Sequence, residues 1–382
     1  MSRIILCLQA VLLAAWALSL GAVLTADDDV DGGARAWSRI ASAFSPPKDL
    51  ADDFGKYRSP LKFSDGREVK SAAQWPERRK EILATWHGLM GQWPKVIEHQ
   101  EIKYGDKTQR ENFVQQRVEF LMAPEHTTRG YLLAPQSPGP HPGIVVVYYE
   151  PETAVGLNEK ENRDFALQLA KRGFVCLSMG IGASLYYPNQ EHAALQPLSA
   201  NAYAAANAYH VLANLPDVDP RRIGIVGHSY GGKWAMFASC LYDKFACAAW
   251  SDGGIVFDET RPNVNYWEPW YLGYAAGDTR ERGVPSATRP RTGAYKRMIE
   301  EGRDLHELHA LMAPRPFLVS GGSEDQPERW KALNHSIAVN RLLGYENRVA
   351  MTNRKGHDPT PESNEQIYAF FEHFLKPAKP GD

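Results

Sequence analysis

The stretch Arg222-Ile223-Gly224-Ile225-Val226-Gly227-His228-Ser229-Tyr230-Gly231-Gly232-Lys233 constrains this chain more than any other. Arg222 to Val226 leads into a short apolar run, as a buried parallel strand does. Trp234 to Tyr242 reads as a helix, because Ala235, Met236, Ala238 and Ser239 are small or unbranched. Between them lies Gly-x-Ser-x-Gly. A serine in that pattern occupies a strained position on a very tight strand-to-helix turn. Its flanking glycines are needed because a Cβ there would collide with the neighbouring strand and helix. The following helix points its N-terminal N–H groups at the site, which favours negative charge on a reacting oxygen. Ser229 is therefore the candidate nucleophile.

The rest of the chain alternates strands and helices around this point. Strands are predicted at Val114 to Met122, Arg129 to Ala134, Gly143 to Tyr149, Phe174 to Met179, Ala246 to Trp250, Pro316 to Ser320 and Arg348 to Thr352. Helices are predicted at Asn162 to Arg172, Ser199 to Leu215, Leu305 to Leu311, Glu328 to Leu343 and Asn364 to Leu375. Such alternation implies a mostly parallel central sheet with helices on both faces. An excursion over 255–305 interrupts it after the sixth strand and carries Tyr266-Trp267-Glu268-Pro269-Trp270-Tyr271. It reads as an insertion near the active site. Asp27 to Lys70 is polar and reads as an extended leader. A helix with Pro76 in its first turn follows, and Trp75, Ile82, Trp86 and Met90 can share an apolar face. We therefore expect a leader and helix over 27–95 packing on a catalytic domain over 96–382.

Arg3, the apolar run Ile4 to Leu20 and the small residues around Thr25-Ala26 read as a secretory signal peptide over 1–26. That predicts a secreted or periplasmic protein with no stable membrane partner. The net charge of -2 gives no electrostatic case for nucleic acid. Of the 4 cysteines, Cys7 leaves with the signal. Cys176, Cys240 and Cys247 read as buried small hydrophobes rather than a disulfide framework. There is no His-Glu-x-x-His, no Cys-x-x-Cys and no phosphate-cradling glycine loop, so no metal or cofactor is expected.

A serine hydroxyl needs a base to take its proton, and that base needs an acid to orient it. His357 lies on the loop between the last strand and the last helix, where such a base belongs. For the acid, Asp325 is favoured from its Gly-x-x-Asp spacing after the Pro316 to Ser320 strand. Glu324 is adjacent, and Asp252, after the strand ending at Trp250, is a third candidate. His228 is expected to be structural. The oxyanion donors should be the backbone N–H of Tyr230 and one from the loop after the Gly143 to Tyr149 strand, near Tyr149 or Glu150. Pro151 has no N–H to give.

At these residues the chain resembles the α/β-hydrolases. More narrowly, it resembles bacterial carbohydrate esterases of the acetyl xylan and glucuronoyl esterase type. The resemblance runs from about Lys70 to the C-terminus. It is carried by Trp75-Pro76-Glu77-Arg78-Arg79, Gly91-Gln92-Trp93-Pro94, the Gly227 to Lys233 elbow, Tyr266 to Trp270, and Leu308 to Pro316. It implies a serine hydrolase cleaving acetyl or glucuronoyl esters of plant or algal polysaccharide. Lys233 matches a sugar-acid-binding lysine four residues after the nucleophile, and Trp267 is expected to add an aromatic wall. Tyr230 stands where glucuronoyl esterases carry an oxyanion-supporting arginine. A prolyl-oligopeptidase-like or dienelactone-hydrolase-like enzyme is the alternative, although no propeller repeats precede Ser229. A catalytically silent binding protein on this fold is the third reading.

Overall fold

The computed structural model describes residues 33–181, 194–278 and 280–376. The predicted signal peptide, 1–26, lies outside the described residues. Nine strands form one sheet: β1 (Lys103–Gln109), β2 (Phe113–Ala123), β3 (His126–Pro135), β4 (His141–Tyr148), β5 (Val175–Gly180), β6 (Val218–His228), β7 (Cys247–Ser251), β8 (Phe317–Gly321) and β9 (Val349–Asn353). Their order across the sheet is β1-β2-β3-β5-β4-β6-β7-β8-β9. From β1 through β3 to β5 neighbours run antiparallel, and from β5 to β9 they run parallel.

β4, β5, β7 and β8 are apolar runs because helices cover both of their faces. Alternate residues divide between two cores. Val145, Val147, Ile223 and Ile225 face one side, while Ile144, Val146, Cys176 and Val226 face the other. The first core takes α1 (Trp75–Met90), whose Trp75, Ile82, Trp86 and Met90 are buried as predicted. The second takes α2 (Pro151–Ala154) and α3 (Phe165–Lys171). α4 (Pro197–Ala213) and α5 (Tyr230–Leu241) return to the first core. α6 (Gly293–Glu300), α7 (His306–His309), α8 (Trp330–Leu342) and α9 (Pro361–Leu375) complete the described helices longer than a single 3₁₀ turn beyond 75.

Two expectations change. β1 was not foreseen, so the insertion over 255–305 follows the seventh strand of the sheet rather than the sixth. The sequence of β1, Lys-Tyr-Gly-Asp-Lys-Thr-Gln, has no apolar alternation, and every residue in it is exposed. It pairs only with β2, as a polar edge strand does. The leader is not wholly extended either. Residues 33–40 are helical, Ala41–Phe44 continues as a 3₁₀ turn, and Ala36, Ile40, Ala43 and Phe44 close the second core. Cys176, Cys240 and Cys247 are buried free thiols.

Candidate active site

The register of the parallel strands brings four loops to one edge of the sheet. His228 pairs with Ser251, Ser251 with Ser320, and Ser320 with Thr352. Ser229, Asp252, the loop 322–325 and the loop 354–358 therefore emerge side by side. Ser229 has φ 58 and ψ -117, a conformation that non-glycine residues avoid. The turn has no room for larger neighbours. A Cβ on Gly227 would lie 2.3 Å from the Gly231 carbonyl oxygen, and one on Gly231 would lie 2.2 Å from that of Val147. The strained serine is held from both sides, with its N–H on the Ser251 carbonyl at 2.8 Å and its own carbonyl on the Lys233 N–H at 3.1 Å.

Ser229 Oγ lies 2.8 Å from His357 Nε2, and His357 Nδ1 lies 2.7 Å from Asp252 Oδ2. His357 keeps 36% of its side-chain exposure, while Asp252 has none. His357 thus opens to the pocket and Asp252 is dry. The expectation that Asp325 faces His357 is corrected. Asp325 Oδ1 and Oδ2 instead accept the N–H groups of Ile255 at 2.7 Å and Gly254 at 2.9 Å. Burial, followed by the charge of Asp252, pushes its carboxyl up to about 6. Glu324 is buried nearby, where its Oε1 accepts from Ser323 Oγ at 3.0 Å and Asn263 Nδ2 at 3.3 Å.

Arg354, which the sequence did not single out, fixes the histidine loop. It donates to the His357 carbonyl at 2.6 Å, to the Asp358 carbonyl at 2.8 Å and to the Ser320 carbonyl at 2.8 Å. Its place three residues before His357 was a usable signal, since a guanidinium has five donors to tie a short loop. His228 is buried with its ring centroid 4.7 Å from that of His357, and burial holds it well below the usual imidazole range.

A pocket of about 240 Å³ opens over the serine and is lined by Ser229, Tyr230, Lys233, Asn263, Asn265, Tyr271, Glu324 and His357. The Lys233 ammonium sits over the rings of Tyr266 and Tyr271, at 5.1 and 5.5 Å from their centroids. Burial lowers it to about 8, against the opposing pull of Asp325, Glu324 and Asp252. Trp267 is corrected as a wall of this pocket, because it has no exposed surface and packs against Tyr295. Tyr271 is the residue of that aromatic run on the pocket lining. The phenol of Tyr230 turns away from the serine, accepting from Asn201 Nδ2 at 2.7 Å and donating to the Trp270 carbonyl at 3.1 Å. The Tyr149 ring stacks on the Tyr230 ring at 4.8 Å.

A strand–serine–helix turn, a histidine after the last strand, and a mixed sheet in this order point to one architecture. Solved structures agree. The glucuronoyl esterase from Solibacter usitatus superposes with a TM-score of 0.64 at 19% identity, over 84% of this chain and 97% of that one. This is an α/β-hydrolase fold. A glucuronoyl esterase of carbohydrate esterase family 15 from Teredinibacter turnerae T7901 shares the α/β-hydrolase architecture with a TM-score of 0.61 at 20% identity, over 86% and 91% of the two chains. The dienelactone hydrolase family model matches residues 128–280, from β3 through the elbow into the insertion. Carbohydrate esterase MZ0003, from an unknown prokaryotic organism, is 25% identical over 219 residues, which is 53% of this chain. The match spans about 45% of the length of that curated relative. No described helix is long and apolar enough to cross a membrane.

Proposed function

We propose that this protein is a serine hydrolase that cleaves carboxylic esters of carbohydrates, with Ser229, His357 and Asp252 as its triad. The reading rests on the continuous Ser229–His357–Asp252 hydrogen-bond line opening onto a pocket lined by polar residues. In the first half-reaction, Ser229 Oγ bonds to the ester carbonyl carbon as its proton passes to His357 Nε2. Asp252 keeps the imidazole tautomer and stabilises the imidazolium. The backbone N–H groups of Tyr230 and Tyr149 are the proposed donors to the developing oxyanion. Collapse breaks the ester C–O bond, and the leaving alkoxide takes the proton from His357. Water then repeats the sequence on the acyl-enzyme and releases the acid and free Ser229.

The pocket chemistry supports a hydroxylated substrate. Lys233 offers only donors, Glu324 in its ionised form only acceptors, and Asn263 and Asn265 both. Such walls suit a sugar ring or sugar acid better than an alkyl chain. Their presence beside the serine favours a uronoyl ester over a simple acetyl ester. The predicted signal peptide over 1–26 supports export. The dienelactone hydrolase match over 128–280 favours a second reading, a hydrolase of small esters or lactones.

Purified protein assayed on a methyl glucuronate ester, acetylated xylan, p-nitrophenyl acetate and a peptide anilide tests both readings. The proposal expects turnover of the sugar-acid ester above that of the aryl acetate and none of the anilide. Turnover of the aryl acetate alone would favour the second reading. No ester turnover by the intact protein would overturn both.

A further inference from the structure

The loops after β7 and β8 hold one another through two buried carboxylates. Asp252 Oδ1 accepts the N–H groups of Gly322 at 2.7 Å, Asp325 at 3.0 Å and Glu324 at 3.1 Å. Asp325 returns the grip, with its two oxygens on Gly254 and Ile255. Between the two grips the backbone is left-handed, with φ 46 at Asp252 and φ 73 at Gly254. Such a conformation on an aspartate persists only where its surroundings over-determine it. The packing is also tight. A Cβ on Gly253 would lie 2.8 Å from the Lys233 backbone nitrogen, and one on Gly322 would lie 2.3 Å from the Gly356 carbonyl oxygen. Asp325 is in turn anchored to the end of β9, since its carbonyl accepts from Asn353 Nδ2 at 2.8 Å.

We propose that Asp325 is the positioning residue for the triad acid: by clamping the N–H groups of Gly254 and Ile255 it fixes the backbone of Asp252 and so the aim of Oδ2 at His357 Nδ1. This rests on the hydrolase reading given above. Only a carboxylate serves both donors. An asparagine there has one acceptor oxygen, and its amide N–H would face the other backbone N–H. Burial and the neighbouring charge of Asp252 push the Asp325 carboxyl up, while the Ile255 and Gly254 N–H groups and Arg329 oppose that rise. A residue needed only to fill space would not aim both carboxylate oxygens at buried backbone N–H groups.

A double-mutant cycle reads the coupling directly. The rate at which a fluorophosphonate labels Ser229 is measured for wild type, Asp325→Asn, Asp252→Asn and the double variant, with the melting temperature of each. Labelling needs no carbohydrate substrate, so it separates this inference from the choice of substrate. Loss of an outer-shell partner is worth on the order of 10- to 100-fold, so Asp325→Asn should slow labelling by about that factor. Asp252→Asn should slow it by about 10⁴-fold, and the double variant by no more than Asp252→Asn alone. An equal factor for Asp325→Asn in both backgrounds would overturn the inference. So would an effect larger than that of Asp252→Asn. If Asp325→Asn does not fold, Asp325→Ser, which keeps one acceptor in less volume, takes its place in the cycle. An unlabelled wild type would instead sink the hydrolase reading on which the inference stands.

Discussion

Asp252 and Asp325 follow neighbouring strands, β7 and β8, and both carboxylates are buried, yet they use their lone pairs differently. Asp252 divides its oxygens between backbone and imidazole: Oδ1 takes three N–H groups and Oδ2 takes His357. Asp325 gives both oxygens to backbone. One carboxylate thus reaches the imidazole and the other bonds only backbone. The two also differ in backbone, since Asp252 is left-handed and Asp325 is not among the positive-φ residues. At φ 46 the backbone of Asp252 turns its side chain across the sheet edge, toward the loop after β9.

The first way to break the comparison is to remove the atom both acids serve. Ser229→Ala should lower kcat by about 10⁶-fold on any ester the protein cleaves, with the melting temperature little changed. A fluorophosphonate probe should label wild type and not the variant. Residual labelling in Ser229→Ala would place the nucleophile elsewhere and leave both carboxylates without a role.

Next in size is Asp252→Asn, which should lower kcat by about 10⁴-fold because the wrong imidazole tautomer is then favoured. Glu324→Gln should be mild, since the Glu324 oxygens are not bonded to His357. Steady-state kinetics on p-nitrophenyl acetate ranks the variants. If Glu324→Gln matched Asp252→Asn, the contrast between a base-facing acid and a supporting one would collapse.

The sequence revealed the parts of the site that local chemistry dictates. Gly227, Gly231 and Gly232 flag the elbow because side chains there would strike the backbone of the neighbouring strands and of the elbow helix itself. His357 is legible because only one histidine falls just after the last strand. The carboxylate that bonds His357 was not, because Asp252, Glu324 and Asp325 all follow strands closely. What singles out Asp252 is a left-handed backbone and contacts to residues distant in sequence, neither of which its local sequence shows. Among the elements, the buried parallel strands were legible from their unbroken apolar runs. β1 was not, because a polar edge strand takes its structure from its partner rather than from any pattern of its own. Trp267 failed as a pocket residue for a related reason. An aromatic run without helical or strand period does not say which ring faces inward.

A smaller effect tests the pocket rather than the triad. Lys233 lies at about 8 against an ordinary 10.5, so its charge is lost as pH rises through about 8. If that charge binds substrate, KM for a sugar-acid ester should rise above pH 8 by up to about tenfold per unit, with kcat much less affected. Lys233→Met should raise KM and abolish this limb. Stability moves the other way. The unfolded chain holds the lysine proton up to about 10.5 and the folded one only to about 8, so stability should increase with pH between those values. A pH series of melting temperatures should show that rise in wild type and lose it in Lys233→Met. A KM that is flat across pH 8 would leave Lys233 as a buried structural cation.

The smallest effect expected on chemistry comes from Trp267, and it sharpens the contrast between residues that face the pocket and those beneath it. Trp267 is fully buried against Tyr295, whereas Tyr271, four residues on, lines the pocket under the Lys233 ammonium. Removing a buried tryptophan side chain leaves a cavity and typically costs about 3–5 kcal/mol. Trp267→Ala should therefore lower the melting temperature by several degrees, while kcat and KM of the folded fraction stay within about twofold of wild type. Tyr271→Phe keeps the ring and its packing but removes a pocket hydroxyl. It should leave stability nearly unchanged and raise KM for a sugar-acid ester more than for an aryl acetate. Thermal melts and two-substrate kinetics on the pair decide the matter. A selective KM increase in Trp267→Ala would return that residue to the substrate wall, and would mean the insertion opens further when substrate enters.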